Sequence, residues 1–354
     1  MAALKSSVEA GGHLIADRCG RLARRVVIAA ATLLLTACES GPSVLDPRGP
    51  AARRVEGLWW LMLWISVAVF AVVLAFLAVS MKRATRGRAA PMPKVDRTEV
   101  RWGDPFIAVA GVFIPAVILG GVYLLSLGHM NELSKAGQET TLSIDVVAHN
   151  WWWEARYPNG AVTANEIHIP AGERVKVRLT SADVIHSFWV PQLQVKIDNV
   201  PGRETELWLE ADEPGHYRGQ CAEFCGLQHA HMAFFVVADA PGDFEEWLSN
   251  EASDASPDGA ALDGPQNGED VFLGSSCAGC HAVRGTEADA SLGPDLTHLA
   301  ARRTIGAGIL TNTRSNLEAF VRNAQEVKPG SGMPPAELSD AEIEALLDYL
   351  EQLD

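Results

Sequence analysis

Two long apolar stretches dominate the first half of the chain. Residues 57–81 and 106–127 carry no charged side chain, and each stretch is about long enough to cross a bilayer as a helix. The pattern predicts a transmembrane hairpin at residues 57–127.

A shorter apolar run, residues 26–35, lies behind four arginines: Arg18, Arg21, Arg24 and Arg25. It is too short to span a bilayer comfortably but suits the core of a signal peptide. It ends in Leu35-Thr36-Ala37-Cys38, which resembles the cleavage box of bacterial lipoproteins. This predicts a signal peptide at 1–37 and a lipidated Cys38 that opens an exported segment, 38–56. The alternative is an uncleaved stretch with an incidental cysteine.

The segment between the two long apolar stretches is basic. Asp96 and Glu99 are outnumbered by Lys82, Arg83, Arg86, Arg88, Lys94, Arg97 and Arg101. By the positive-inside rule this loop is cytoplasmic, so everything after residue 128 lies on the other side of the membrane. We therefore expect a two-pass protein of the bacterial cell (inner) membrane with periplasmic or extracytoplasmic domains.

After residue 139 the chain changes to short β-rich segments in which apolar and polar side chains alternate, at 141–148, 166–169, 174–180, 205–210 and 233–238. Turn signals such as Pro158-Asn159-Gly160 separate these segments. The pattern predicts an all-β sandwich or barrel over residues 128–248.

A small, polar and acidic tract follows, and residues 249–264 are expected to be a linker because the tract cannot bury enough apolar surface to fold. Beyond it, residues 265–354 form a further domain with helical patterning. Residues 340–353 carry a helical apolar stripe behind Ser339, a predicted N-cap.

Length and charge narrow the possible functions. A chain of 354 residues is long for one domain, and its formal net charge of −15 argues against nucleic acid as a partner. A basic protein partner or plain solvation suits this charge better.

The loop from Cys221 to Met232, CAEFCGLQHAHM, holds two thiols, two imidazoles, a thioether and a carboxylate. Such soft ligands suit copper. Because Cys221 and Cys225 are four residues apart, both thiolates can reach one point and bridge two coppers. Two coppers need a further imidazole from elsewhere in the fold, and His186, at the end of a predicted strand, offers one. A structural zinc or a Cys221–Cys225 disulfide is the alternative, but neither explains the methionine or the distant histidine.

A second motif, Cys277-Ala278-Gly279-Cys280-His281, has the Cys-x-x-Cys-His spacing that attaches haem c covalently. On its own the motif could also be a zinc or redox site, but Met333 further along the chain favours haem. A copper centre and a haem on one exported chain indicate a protein that carries electrons.

The pattern of His186, Cys221, Glu223, Cys225, His229 and Met232 resembles the binuclear CuA site of cytochrome c oxidase subunit II, and the hairpin is similar too. The resemblance implies a cupredoxin-like sandwich in which both cysteines bridge the coppers. His186 and Met232 would complete one copper, whereas His229 and the Glu223 carbonyl would complete the other. The Glu223 carboxylate would face subunit I, where the family binds magnesium or manganese.

The aromatic stretch from His149 to Trp153 also matches that family, and by resemblance Trp151 accepts the electron on its way to CuA. For Trp152 and Trp153 a packing role is expected. His231 has no role in the family's pattern, which favours a surface or hydrogen-bonded histidine.

The C-terminal domain resembles an all-α class I cytochrome c, from Asp270-Val271-Phe272 through the attachment motif and Gly293-Pro294-Asp295-Leu296 to Gly332-Met333-Pro334-Pro335. The resemblance implies that Cys277 and Cys280 form the thioethers. His281 and Met333 would be the axial iron ligands, a pair that raises the reduction potential.

As a whole, the chain resembles subunit II of a caa-type bacterial haem-copper oxidase. This implies subunits I and III as partners, an external cytochrome c or a quinol–cytochrome c reductase as electron donor, and oxygen reduction with proton pumping in subunit I. The acidic excess after residue 265 suggests that the donor docks through basic residues.

Other functions remain open at this stage. A nitric oxide reductase subunit, or a free membrane-anchored shuttle, would share the same motifs. Nitrous oxide reductase needs a His-rich domain for which this chain lacks the length, and quinol oxidase subunits lack the copper ligands. Ala108 stands where many relatives carry a glutamate that feeds a proton path.

Overall fold

The computed structural model describes residues 41–86, 103–134, 140, 142–255 and 267–354. The expected signal peptide and Cys38 lie outside these residues, as do most of the basic loop and of the linker. What the sequence predicts for these segments therefore stays a prediction.

Two apolar helical segments come first in the described chain. The first, α1, covers Pro50–Arg86. The second consists of α2 (Gly103–Ala108), a π-helical turn at Val109–Phe113, and α3 (Ile114–Ser134). Their most apolar windows have mean hydropathies of 2.8 and 2.3 and are 0% buried, so both segments are long and apolar enough to cross a membrane.

The start of α1 contacts the β domain, which explains why the helix begins ahead of the apolar run at residue 57. Arg53 donates to the carboxylate of Asp212, and Ala51 is fully buried. The backbone N–H of Arg48 donates to Gln192 O at 2.7 Å. These contacts fix the first turn of the helix against folded protein rather than against lipid.

The β domain is a sandwich of two five-stranded sheets with strand orders β3-β2-β1-β5-β8 and β4-β10-β9-β6-β7. The strands are β1 Leu142–His149, β2 Trp152–Arg156, β3 Val162–Ala164, β4 Glu166–Pro170, β5 Val175–Ser181, β6 His186–Trp189, β7 Ile197–Asn199, β8 Thr205–Leu209, β9 Gly215–Cys221 and β10 Ala233–Asp239. Alternate residues of β1 and β5 are buried between the sheets, as the period-2 pattern predicts.

The second sheet contains strands that the pattern did not predict. In β9 the inward positions include Gly219, where an added Cβ would lie 2.3 Å from the Phe234 ring. The core is therefore filled at this point by an aromatic side chain from the neighbouring strand β10. A strand whose inward residues include a glycine does not show the apolar alternation that sequence reading relies on.

The C-terminal domain is mainly helical. Its helices are α5 Gly268–Gly274, α6 Arg314–Arg322, α7 Ala324–Val327 and α8 Asp340–Leu350, and α4 (Pro241–Glu251) precedes it on the β domain. Two short strands, β11 Thr304–Ile305 and β12 Leu310–Thr311, form a hairpin. Ser339 caps α8 in a capping box with Glu342, which confirms the predicted helix start.

The helical domain packs against β4 and β10 of the sandwich through backbone groups. The Glu166 carboxylate accepts from the N–H groups of Arg303 at 2.9 Å and Thr304 at 3.1 Å. The N–H of Ala233 donates to Ala307 O at 3.0 Å. At least one partner in each of these contacts is a backbone atom, whose position is fixed by its own domain. The contacts therefore form only when the two domains lie in this relative position.

Candidate copper centre and haem pocket

Three buried ligand-type side chains converge at one end of the sandwich. The ligand atoms of His186, Cys221 and Cys225 all lie within 4.8 Å of one another. They come from the first residue of β6, the last residue of β9 and the loop that follows β9.

The strand pairing brings these residues together. β6 and β9 run antiparallel, with Phe188 opposite Cys221, and the N–H of Ala222 donates to Ser187 O at 3.0 Å. The N–H of Cys221 donates to Met232 O at 2.9 Å. That bond closes the loop from Cys221 to Met232, so residues eleven apart in sequence become neighbours.

All six predicted copper ligands lie around the two thiols. The two Sγ atoms are 3.7 Å apart, and both cysteines are free. Cys221 Sγ lies 3.8 Å from His186 Nδ1 and 3.2 Å from the carbonyl oxygen of Glu223. Cys225 Sγ lies 3.7 Å from His229 Nδ1 and 3.8 Å from Met232 Sδ. This set of two thiols, two imidazoles, a thioether and a carbonyl fits copper.

The electrostatics of the pair favours a bound cation. A hydrogen bond with Cys225, supported by His186, lowers the pKa of Cys221 well below its usual range, whereas the same pairing raises the pKa of Cys225. One thiolate is thus stabilised by the protein, but a second buried thiolate beside it is disfavoured. Metal coordination removes that penalty because a bound cation deprotonates its thiol ligands.

An aspartate orients one imidazole. His186 is fully buried, and its Nε2 lies 2.7 Å from Asp183 Oδ1. This contact leaves Nδ1 facing Cys221. The other carboxylate oxygen of Asp183 accepts from the N–H of Asn150 at 2.6 Å. Carboxylates in this position fix the ring and its tautomer, and we did not predict this residue from the sequence.

The three consecutive tryptophans have different surroundings. The indole Nε1 of Trp151 donates to Cys225 O at 2.9 Å. Trp152 stacks on His149 with ring centroids 4.2 Å apart. Trp153 is fully buried in the sandwich core, where its ring packs against Phe188 and Phe234.

A cavity of about 340 Å³ lies in the C-terminal domain. Its lining includes all four predicted haem residues: Cys277, Cys280, His281 and Met333. The β domain contributes part of the same wall through Trp151, Trp152 and Asn165. The cavity therefore extends to the surface of the β domain beside the loop from Cys221 to Met232, here called the copper loop.

The residues around this cavity fit a haem. His281 Nδ1 lies 2.7 Å from Pro294 O, which leaves Nε2 for the iron. Burial lowers the pKa of His281 and so favours the neutral imidazole that binds metal. Arg302 also lines the cavity. Its guanidinium brings a positive charge to the wall, which suits a ligand with carboxylates.

The segment that carries Met333 is held by Gln325. Its amide nitrogen donates to Ser331 O and to Met333 O, each at 2.8 Å, and its amide oxygen accepts from the N–H of Gly330 at 2.9 Å. These bonds fix a segment without regular secondary structure beside the cavity.

Comparison with known proteins decides the family. The chain matches the models "Cytochrome C oxidase subunit II, periplasmic domain" at residues 161–239 and "Cytochrome c" at residues 265–354. The cytochrome c oxidase subunit 2 of Alkalihalophilus pseudofirmus is 36% identical over 333 residues, 91% of this chain and 94% of the relative. The chain belongs to the cytochrome c oxidase subunit 2 family.

A second relative and a solved structure also match this chain. The cytochrome c oxidase subunit 2 of Bacillus subtilis is 31% identical over 352 residues, 93% of this chain and 96% of that relative. The periplasmic domain of subunit II of the cytochrome oxidase (CoxB) of Bradyrhizobium japonicum is a solved structure with 30% identity and a TM-score of 0.32. It is covered over 95% of its length, by 32% of this chain.

Membership gives the subunit its general role. It is subunit II of a haem-copper oxidase with a cytochrome c domain, part of an oxidoreductase complex. The two matched domains imply CuA copper and haem c as cofactors. The predicted fold class is confirmed: two apolar helices, a cupredoxin-like sandwich and a cytochrome c domain. The helices fit a membrane anchor, and the matched periplasmic domain fits an extracytoplasmic position.

Proposed function

We propose that this subunit passes electrons from an external donor through haem c and CuA to subunit I, where oxygen is reduced to water and protons are pumped. One observation carries the proposal. Trp151 lines the haem cavity and also donates its indole N–H to the backbone oxygen of Cys225. A single side chain thus contacts both candidate cofactor sites, which supports Trp151 as a residue through which electrons pass between them.

In this proposal the copper would be held by the two cysteines Cys221 and Cys225, with His186 and Met232 on one side and His229 with the Glu223 carbonyl on the other. Haem c would be held by Cys277 and Cys280, and its iron by His281 and Met333. When bound, the copper centre would supply one-electron transfer. Because its ligands would all come from the protein, it would relay electrons and bind no substrate.

The proposal also includes lipidation of Cys38, the bacterial inner membrane as location, and subunit III as a partner. The Glu223 carboxylate lies 3.7 Å from Lys196 Nζ, so an ion-paired surface carboxylate explains its position without magnesium or manganese. Ala108 ends α2, and a proton path through this subunit would need a different acid.

The test uses the full chain, purified in mild detergent with its partner subunits. A mixed-valence copper signal in electron paramagnetic resonance, a haem c spectrum and oxygen uptake with reduced cytochrome c are expected together. Both centres without oxygen uptake would instead favour nitric oxide reduction or a free shuttle.

The role of Trp151 is tested separately. We expect Trp151→Phe to slow electron transfer from haem c to CuA by at least about tenfold, because the variant loses the N–H that contacts Cys225. Flash photolysis measures the rate directly. Trp247→Phe is the matched control, since Trp247 stacks on His168 in the β domain, away from the lining of the haem cavity; an equal loss in both variants would contradict the assignment.

A further inference from the structure

Lys328 lies between the two cofactor domains. It follows α7 in the cytochrome domain, and only 4% of its surface is exposed. Its Nζ donates to Trp151 O at 2.7 Å, to Gly306 O at 2.9 Å and to His231 O at 3.0 Å. The first and last of these carbonyls belong to the β domain, and Gly306 belongs to the cytochrome domain. All three N–H bonds of the ammonium are therefore used.

A buried lysine without a carboxylate partner is costly. Burial lowers the pKa of Lys328 to about 7, although the nearby Cys225 opposes this shift. The three carbonyl dipoles offset part of the cost of keeping the ammonium charged. An apolar side chain of similar length would fill the same space without that cost, so stability of packing alone does not account for a lysine here.

The positions of the three carbonyl acceptors explain why a lysine is found here. The three acceptors belong to separate segments: the tryptophan stretch, the copper loop and the β11–β12 turn. One ammonium reaches all three only when the domains are docked in a single relative position. A hydrogen bond acts over a few tenths of an ångström, so the triple contact specifies position more narrowly than apolar packing does.

Neighbouring bonds support the same docking. Gln228 Nε2 donates to Pro329 O at 2.7 Å, and the ring of the exposed His231 lies 2.9 Å from the Gln228 side-chain oxygen. The expected hydrogen-bonded histidine is thus found, and it orients an amide that bridges the domains. Lys328 lies at the centre of this group, directly against the Trp151 backbone.

We propose that Lys328 is a positioning residue that locks the haem pocket against Trp151 and the copper loop. Its effect on electron transfer rests on the proposed function, whereas its effect on docking does not. The lysine lines the haem cavity, and its three hydrogen bonds go to backbone carbonyls rather than to predicted ligand atoms. It therefore acts on the distance and orientation between the two cofactor sites.

The experiment compares Lys328→Met with Lys176→Met in the full chain carrying copper and haem. Lys176 is a surface residue of β5 paired with Glu206, so its variant controls for the loss of a lysine. Amide hydrogen exchange is followed at Ala233, Arg303 and Thr304, whose N–H groups donate across the domain interface. We expect exchange at these amides to become at least about tenfold faster in Lys328→Met, and to stay unchanged in the control.

Two further readouts accompany the exchange data. In Lys328→Met the electron paramagnetic resonance signal of copper, the haem absorption spectrum and amide hydrogen exchange within β1 are expected to stay unchanged. These readouts separate undocking of the domains from misfolding. The rate of haem c to CuA transfer is expected to fall by about tenfold or more, because undocking replaces a fixed contact by a tethered encounter. Unchanged protection at the interface amides would overturn the proposal whatever the rate.

The wild-type protein provides a test that needs no variant. The amides of Ala233, Arg303 and Thr304 should be strongly protected from hydrogen exchange in the wild type, because their N–H groups donate across the domain interface. Exchange there at the rate of an unfolded chain would contradict the docked arrangement. Absence of haem c to CuA transfer in the wild type, with these amides still protected, would refute the proposed function and leave the positioning role intact.

Discussion

At the scale of single residues, Asp183 shows how a side chain outside the predicted ligand set orients one that belongs to it. Its carboxylate accepts from His186 and also from the Asn150 N–H beside Trp151. One carboxylate therefore orients a predicted copper ligand and anchors the segment that carries Trp151.

We expect Asp183→Asn to weaken copper binding by about 10- to 100-fold, because the amide keeps the shape but no longer offers a charged acceptor to the imidazole. Competition with a copper chelator, followed by the copper absorption, measures the affinity. Asp198→Asn, an exposed site on the neighbouring strand β7, is the control. Equal affinities for the wild type and Asp183→Asn would show that packing alone orients His186.

Sequence reading predicted a set of candidate ligands that the fold brings together, but it did not predict the side chains that support them. The ligand types and spacing of the copper loop, and the Cys-x-x-Cys-His motif, are local signals and were readable directly. The roles of Asp183 and Lys328 depend on which backbone and ring atoms the fold brings near them. Asp183 stands three residues before His186, and that spacing was the available signal. Lys328 had none, because its three acceptors lie in distant segments.

At the scale of elements, regular patterns were predictable and irregular ones were not. Buried and less buried residues alternate along β1 and β5. The same two-residue alternation of apolar and polar side chains predicted both strands from the sequence. β6 and β9, which place copper ligands, carry histidine, glycine and glutamine at positions where alternation would be read. The strands nearest the site are thus the least recognisable, because ligand chemistry replaces the apolar pattern.

Helix α8 gives a prediction at this scale. Its capping box satisfies backbone N–H groups at the start of the helix that closes the cytochrome core. We expect Ser339→Ala to destabilise the cytochrome domain by about 1 kcal/mol, because the N-cap acceptor is lost. Denaturant unfolding followed through the haem absorption measures the change. Ser315→Ala, an exposed serine in the first turn of α6, should leave the midpoint unchanged; a matching shift there would mean that the cap contributes nothing specific.

At the scale of the whole molecule, the domain interface contains ionisable groups that link docking to pH. Glu251 ends α4 on the β domain and is only 5% exposed. Burial raises its pKa to about 7, against the opposing charges of Arg302 and Arg284 and with smaller contributions from Asp295 and Glu166. Arg284 donates to the backbone oxygen of Glu251 rather than to its carboxylate, which explains why the carboxyl keeps a raised pKa beside two guanidinium groups.

The sign of the effect follows from linkage. A carboxyl whose pKa is raised on folding binds a proton more tightly in the folded state. Its contribution is fully present below the unfolded pKa near 4.5 and is lost as pH rises through about 7. The raised pKa corresponds to about 3 kcal/mol of folding free energy over this pH window.

We expect the thermal unfolding midpoint of the full chain to decrease as the pH rises from 4.5 to 7.5. Glu251→Gln should remove most of that pH dependence, because the amide does not ionise. Thermal unfolding at several pH values measures both, with the exposed Glu246→Gln on the same helix as control. Parallel pH profiles for Glu251→Gln and the wild type would show that the carboxyl titrates normally and that the interface is open to water.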